Sequence, residues 1–164
     1  MRVAVAVLAC AGLLAGAATA LAAHPTKNAH FSGSFTFTGV NGFKPAVSFN
    51  VSKDGKTVTH FTFQTLGCFG AGGFKQGVNY YAKPDAIIHV AGSFKVSSSG
   101  RFSATAVVWK FTAFGVTTTT TTTLSGTFTN AKSASGTVKF AQKMSGKVTG
   151  SCESPGLGFS AKAR

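Results

Sequence analysis

The chain has almost no acid. Its 164 residues carry three carboxylate side chains, Asp54, Asp85 and Glu153, against sixteen Lys and Arg, for a net charge of +13. Acid–base hydrolysis of a glycoside needs two carboxylates flanking the scissile bond. Asp54 belongs to a turn motif and Glu153 adjoins Cys152, which leaves Asp85 alone, so a glycosidase is not expected. Calcium needs several oxygen ligands, usually with carboxylates among them, and no acids cluster here. Helical periodicity is missing over any useful window, so no glycine-rich phosphate loop opens a helix. A Ser-His-Asp triad drawn from Asp85, His60 or His89 and a serine has no nucleophile-elbow motif behind it. The chain is therefore read as non-enzymatic and without a cofactor.

Cysteine is scarce as well, with Cys10, Cys68 and Cys152 only. Met1-Arg2 is followed at 3–18 by an unbroken run of Ala, Val, Leu, Gly and Cys, and Ala20-Leu21-Ala22 fits the small-x-small rule for signal cleavage. Residues 1–22 are expected to be a signal peptide, and 23–164 a single domain that is secreted or held at the cell envelope. The apolar run is shorter than the roughly 20 residues that cross a bilayer, and no basic stop-transfer cluster follows it. No transmembrane segment is expected once the signal is removed. Cys10 has almost no apolar segment ahead of it, which argues against a lipoprotein cysteine. Cys68 and Cys152 then form an even pair in an exported chain, most simply a disulfide. The intact mass of the exported protein should rise by two hydrogens on reduction. Two alkylatable thiols in the non-reduced native protein would overturn the pairing.

Alternation with a period of two runs through the rest. Phe31, Gly33, Phe35 and Phe37 alternate with Ser and Thr, and Val47, Phe49 and Val51 follow. Lys53-Asp54-Gly55-Lys56 is a hairpin signal, since Asp-Gly supplies the left-handed turn between alternating runs. The return strand carries Val58, Phe61 and Phe63, and its change of phase places a bulge near Thr59-His60. Residues 67–85 break the pattern with five glycines, Pro84 and Tyr80-Tyr81, and read as a loop anchored by Cys68. Ile88, Val90, Phe94 and Val96 resume the alternation, and Ser97-Ser98-Ser99-Gly100 turns it. The next strand is apolar on both phases around Trp109, which predicts a central strand buried on two faces, with Trp109 in the core.

Seven consecutive threonines, 117–123, lead directly into Leu124, Gly126 and Phe128. Threonine is β-branched and favours strands, so the run reads as the exposed half of a long strand projecting past the core. Val138 with Phe140, Val148 with Cys152, and Leu157 with Phe159 and Ala161 complete eight or nine strands. All sixteen Phe lie beyond residue 22 while Leu and Ile are few, so Phe is the main core filler. The fold class is all-β, an antiparallel β-sandwich, with a closed antiparallel β-barrel as the alternative.

Several short motifs accompany this frame: Asp54-Gly55-Lys56-Thr57-Val58, Ile-Ile-x-Val-x-Gly-x-Phe at 87–94, Gly126-Thr127-Phe128, Ala134-Ser135-Gly136-Thr137-Val138, Cys152-Glu153-Ser154 and Phe159-Ser160-Ala161-Lys162. In these the chain resembles a group of small secreted bacterial β proteins with one disulfide. The resemblance covers most of the chain beyond the signal segment. It implies the fold and the disulfide and carries over no catalytic residue. A Gly usually follows Cys-acid-Ser in that group, whereas here Pro155 precedes Gly156.

The excess of cations attracts anionic partners, while lysines spaced singly also keep a β protein soluble and discourage edge pairing. The expected activity is binding of an anionic cell-envelope polymer or a glycan. The candidate residues are Tyr80 and Tyr81, whose rings suit stacking on sugars, with Lys75 and Lys83 in the same segment. Nucleic acid is not expected, because the chain is exported and no Lys/Arg groove pattern is present. An alternative is a small copper site. Cleavage after Ala23 would make His24 the N-terminus, able to hold copper through amine and ring with His60 or His89. Leu21 at the third position before that cut argues against it. A purely structural envelope protein is the third reading.

Overall fold

The computed structural model describes residues 23–37, 44–64, 87–147 and 149–164, with the backbone alone for Cys152. Nine strands form: β1 (His30–Phe35), β2 (Ala46–Val51), β3 (Thr57–Gln64), β4 (Ile87–Lys95), β5 (Arg101–Ala113), β6 (Val116–Asn130), β7 (Ser133–Gly146), β8 (Gly150–Glu153) and β9 (Leu157–Ala163). All pair antiparallel in one sheet of order β4-β3-β2-β1-β9-β7-β6-β5, with β8 on the distal half of β7. The first strand thus pairs with the last, and β4 and β5, the two ends of the sheet, lie side by side without pairing. The all-β expectation holds. Of the two architectures, the barrel alternative forms: a single nearly closed sheet in place of two packed ones. No helix among the described residues is long and apolar enough to cross a membrane.

Local sequence explains the elements. Between β2 and β3, Gly55 adopts a φ of +77°, and the Asp54 carboxylate accepts bonds from the Ser52 hydroxyl and the Lys56 amide. The Ser52 hydroxyl first, and the Lys56 amide second, hold the Asp54 carboxyl below its ordinary range. That contribution to the turn is complete above the usual carboxylate pKa and is lost as pH falls through the lowered value. The bulge in β3 lies where the alternation changes phase: His60 has a φ of +51° and the β3–β4 register shifts between Thr59 and Phe61. Val58, Phe61 and Phe63 consequently all point inwards and are buried.

A second bulge overturns the reading of β5. The β5–β6 register shifts between Ala104 and Val107, and Ala106 has a φ of +54°. Phe102 and Ala104 face the core before the shift, and Val107 and Trp109 after it. What looks in sequence like apolar residues on both faces is one face with a change of phase. β5 is an end strand of the sheet, Val108 is exposed on its outer side, and Trp109 is only half-buried at the edge of the core. The threonine run is strand, inside β6 and paired on both sides. It is not an exposed half: Thr120 and Thr122 point inwards and are fully buried, and Gln142 Nε2 donates to Thr120 Oγ1 at 3.1 Å.

The core is a lattice of phenylalanine. Phe49 stacks on Phe31 and Phe61, with centroids 5.0 and 5.6 Å apart, and meets Phe102 and Phe128. Phe159 meets Phe61 edge-on, and Phe140 meets Phe63. Each ring buried from water contributes about 1.5–3 kcal/mol. Space for two of these rings comes from glycines paired across β6 and β7: a Cβ on Gly126 would run into the Phe102 ring, and one on Gly136 into the Phe159 ring. Ser154 interrupts the last strand: its hydroxyl accepts from the Phe140 amide and its own amide donates to the Phe140 carbonyl, both at 2.8 Å. β8 ends there and β9 begins after Pro155-Gly156.

Candidate functional site

All four sequence-derived binding residues, Lys75, Tyr80, Tyr81 and Lys83, lie outside the described residues, as does Cys68. Cys152 is on β8, with its backbone opposite Gln142 of β7. The histidines of the copper reading are exposed. His24 precedes β1, His60 sits in the β3 bulge with Nδ1 3.1 Å from the Thr59 hydroxyl, and His89 lies opposite Thr62. His30 is engaged elsewhere, with Nδ1 2.8 Å from Asn50 Oδ1. Among the described residues no three His, Cys, Asp or Glu side chains converge on a point that would hold a metal ion.

What the fold assembles is a surface that spacing alone does not reveal. With the apolar phase of each strand turned inwards, the outward phase of five neighbouring strands carries hydroxyls. Register places Ser34 of β1 opposite Ser160 of β9, Ser160 opposite Ser135 of β7, Ser135 opposite Thr127 of β6, and Thr127 opposite Arg101 of β5. One row therefore crosses the barrel wall as Ser34–Ser160–Ser135–Thr127–Arg101. On one side of it lie Ser32, Lys162 and Ser133, and on the other Thr137, Ser125 and Ser103. Strands about 4.8 Å apart and outward residues about 6.8 Å apart along each strand set the spacing of this array.

Two shallow depressions lie along the array and share Ser135. One is lined by Ser32, Ser34, Ser133, Ser160, Lys162 and Arg164 among others, and the second by Lys95, Arg101, Ser103, Ser125 and Thr127 among others. Cations stand at both ends, and among the described residues no Asp, Glu or His side chain lines either depression. Among the described residues the serines there have no neighbouring His, Asp or Glu to act as a base. They can donate and accept hydrogen bonds, and Arg101, Lys162, Arg164 and Lys95 can pair with anions. The signal for this face was present in sequence as Ser-x-Ser, Ser-x-Thr and Ser-x-Lys alternation. Its assembly depends on strand order, which alternation does not carry. No family model, curated protein or solved structure matches the chain.

Proposed function

We propose that the protein is a non-enzymatic binding module acting outside the cytoplasm, at the cell envelope or in the surrounding medium, whose ligand is an anionic polymer. The observation that carries this reading is the continuous five-strand row Ser34–Ser160–Ser135–Thr127–Arg101, with Lys162 beside it. A repeating polyanion with its own hydroxyls matches such a row: cations meet the charged groups and serines meet the hydroxyls between them. The net charge, +13 for the chain and +12 once residues 1–22 with Arg2 are removed, draws such a polymer to the surface at long range. Export of the domain, argued from residues 1–22, and the glycan contact expected of Tyr80 and Tyr81 belong to the same proposal.

Retention on immobilised dextran sulfate and on unsubstituted dextran, at low and high salt, tests it, because the two matrices differ only in charge. The protein should be held on dextran sulfate at low salt and released as salt rises, since exposed charges are screened within a Debye length of about 8–10 Å. Arg101→Ala with Lys162→Ala should weaken low-salt retention by roughly three- to tenfold, from up to about 1 kcal/mol per exposed pair. Retention that ignores salt, or a double variant held as tightly as the wild type, would remove the row from the binding site.

A further inference from the structure

The hairpin joining β5 to β6 ends in a feature that the polymer-binding face does not use. Ala113 pairs with Val116, so the turn is the two residues Phe114 and Gly115, both with positive φ, +51° and +77°. A two-residue turn of this kind favours Asn-Gly, and a bulky aromatic residue in the left-handed region is strained. Phe114 is also 96 % exposed, the most open of the large apolar side chains in the described residues. Strain and exposure together put a phenyl ring where folding alone would select against it. Such an outlier is a pointer to function. Phe111, on the same hairpin, is 54 % exposed, and its ring stacks parallel to Trp109 at 5.8 Å.

The surroundings of the tip are cationic. Lys147 donates its amide to the Gly115 carbonyl at 3.1 Å, and its side chain lies against Gly115. Lys110 of β5, Thr119 of β6 and Lys143 of β7 form one outward row, four residues behind Phe114, or about 13 Å at strand spacing. Among the described residues the carboxylate closest in register is Glu153, opposite Ala141, farther from the tip than the lysine row.

We propose that this hairpin tip docks the protein on a bilayer containing anionic lipid. Phe114 enters the interface and Phe111 follows to the level of the headgroups. Lys147, Lys110 and Lys143 meet the lipid phosphates. Interfacial elements sink about 5–10 Å, which matches the separation between the ring and the lysine row once the lysine side chains reach forward. The occupant is lipid rather than a polymer, because a ring exposed on all sides at a tip is surrounded by an acyl boundary, whereas stacking on a sugar covers only one of its faces. The occupant is not a second copy, because two tips would bring six lysines together. Among the described residues most large apolar side chains point inwards and the hydroxyls and lysines of the wall outwards, the reverse of a transmembrane barrel, so the barrel is placed on the bilayer and not through it.

Flotation with phosphatidylcholine vesicles, with and without phosphatidylglycerol, tests the proposal on the whole protein. Wild type and variants share one N-terminus, so any contribution of the 3–18 apolar run cancels. The wild type should partition onto the phosphatidylglycerol vesicles and release in high salt. Phe114→Asn installs the residue the turn prefers, so its thermal midpoint should be unchanged or raised while partitioning falls roughly tenfold. Lys110→Ala, Lys143→Ala and Lys147→Ala should each lower the preference for anionic vesicles by roughly fivefold. Phe114→Asn protein that binds anionic vesicles as the wild type does would overturn the proposal. A wild type that ignores vesicles but self-associates, and becomes monomeric on Phe114→Asn, would equally overturn it and assign the tip to a second copy.

Discussion

Replacing Gly33 by valine should cost at least about 4 kcal/mol, an effect reserved for disruptions that the fold cannot relax around. A Cβ on Gly33 would stand 1.9 Å from the Ser160 carbonyl oxygen and 2.7 Å from the Ala161 Cα. Both are backbone atoms of β9, so no side-chain rotation relieves the overlap, and β1 must move away from β9. That seam is the one the barrel cannot lose. The sheet is already unpaired between β4 and β5, and parting β1 from β9 would leave two half-sheets, β1–β4 and β5–β9, with no ladder between them. A chain of this size has only about 5–15 kcal/mol of net stability, so the variant should be mostly unfolded or barely folded at room temperature. Ser34→Ala, the next residue on the same strand but facing outwards, should stay within about 0.5 kcal/mol of the wild type. Denaturant titration followed by far-ultraviolet circular dichroism measures both. A Gly33→Val protein within about 1 kcal/mol of wild type would show that the two strands do not approach as closely as described.

Phe49→Ala is the second large effect, about 3–5 kcal/mol, with a fall in thermal midpoint of roughly 10 °C or more. Phe49 is fully buried and contacts the rings of Phe31, Phe61, Phe102 and Phe128, which come from β1, β3, β5 and β6. Its removal leaves a cavity between strands on both sides of the open seam, with rigid rings that cannot collapse into it. Leucine at the same position should recover part of the loss, because it refills volume without restoring the stacking, which adds about 0.5–1.5 kcal/mol per pair. A loss below about 1 kcal/mol in Phe49→Ala would mean that the ring lattice is not the core. The comparison with Phe114 is informative, since the same residue type should be nearly silent for stability at the hairpin tip.

The strands were legible because their causes are local. Asp54-Gly55 announces the turn it makes, Ser97-Ser98-Ser99-Gly100 turns the chain with a φ of +69° at Gly100, and the phase change between Val58 and Phe61 marks the His60 bulge. The same kind of signal misled at β5. A phase change spread over Ala104 to Val107 reads in sequence as two buried faces, because the two intervening residues allow either a doubly buried strand or a bulge. Only the position of β5 at the end of the sheet separates them. The threonine run is legible as strand from its β-branching, but its alternate buried face is hidden, since seven identical residues carry no phase. The register with β7 supplies it, setting Thr122 against Phe140 and Thr120 against Gln142.

Sequence alone therefore determined the period, the turns, the identity of the core residue type and the basic charge, all of which follow from neighbours within a few positions. Tertiary structure decided which strands meet. The pairing of Phe31 with Ala163 joins residues at opposite ends of the described chain, and no local propensity encodes a partner at that distance. The hydroxyl row from Ser34 to Arg101 exists only because that pairing brings β1, β9, β7, β6 and β5 into one wall. The exposed Phe114 is likewise a consequence of length: β5, β6 and β7 carry 13, 15 and 14 residues against six in β1, so their tip outruns the core that would otherwise have covered it.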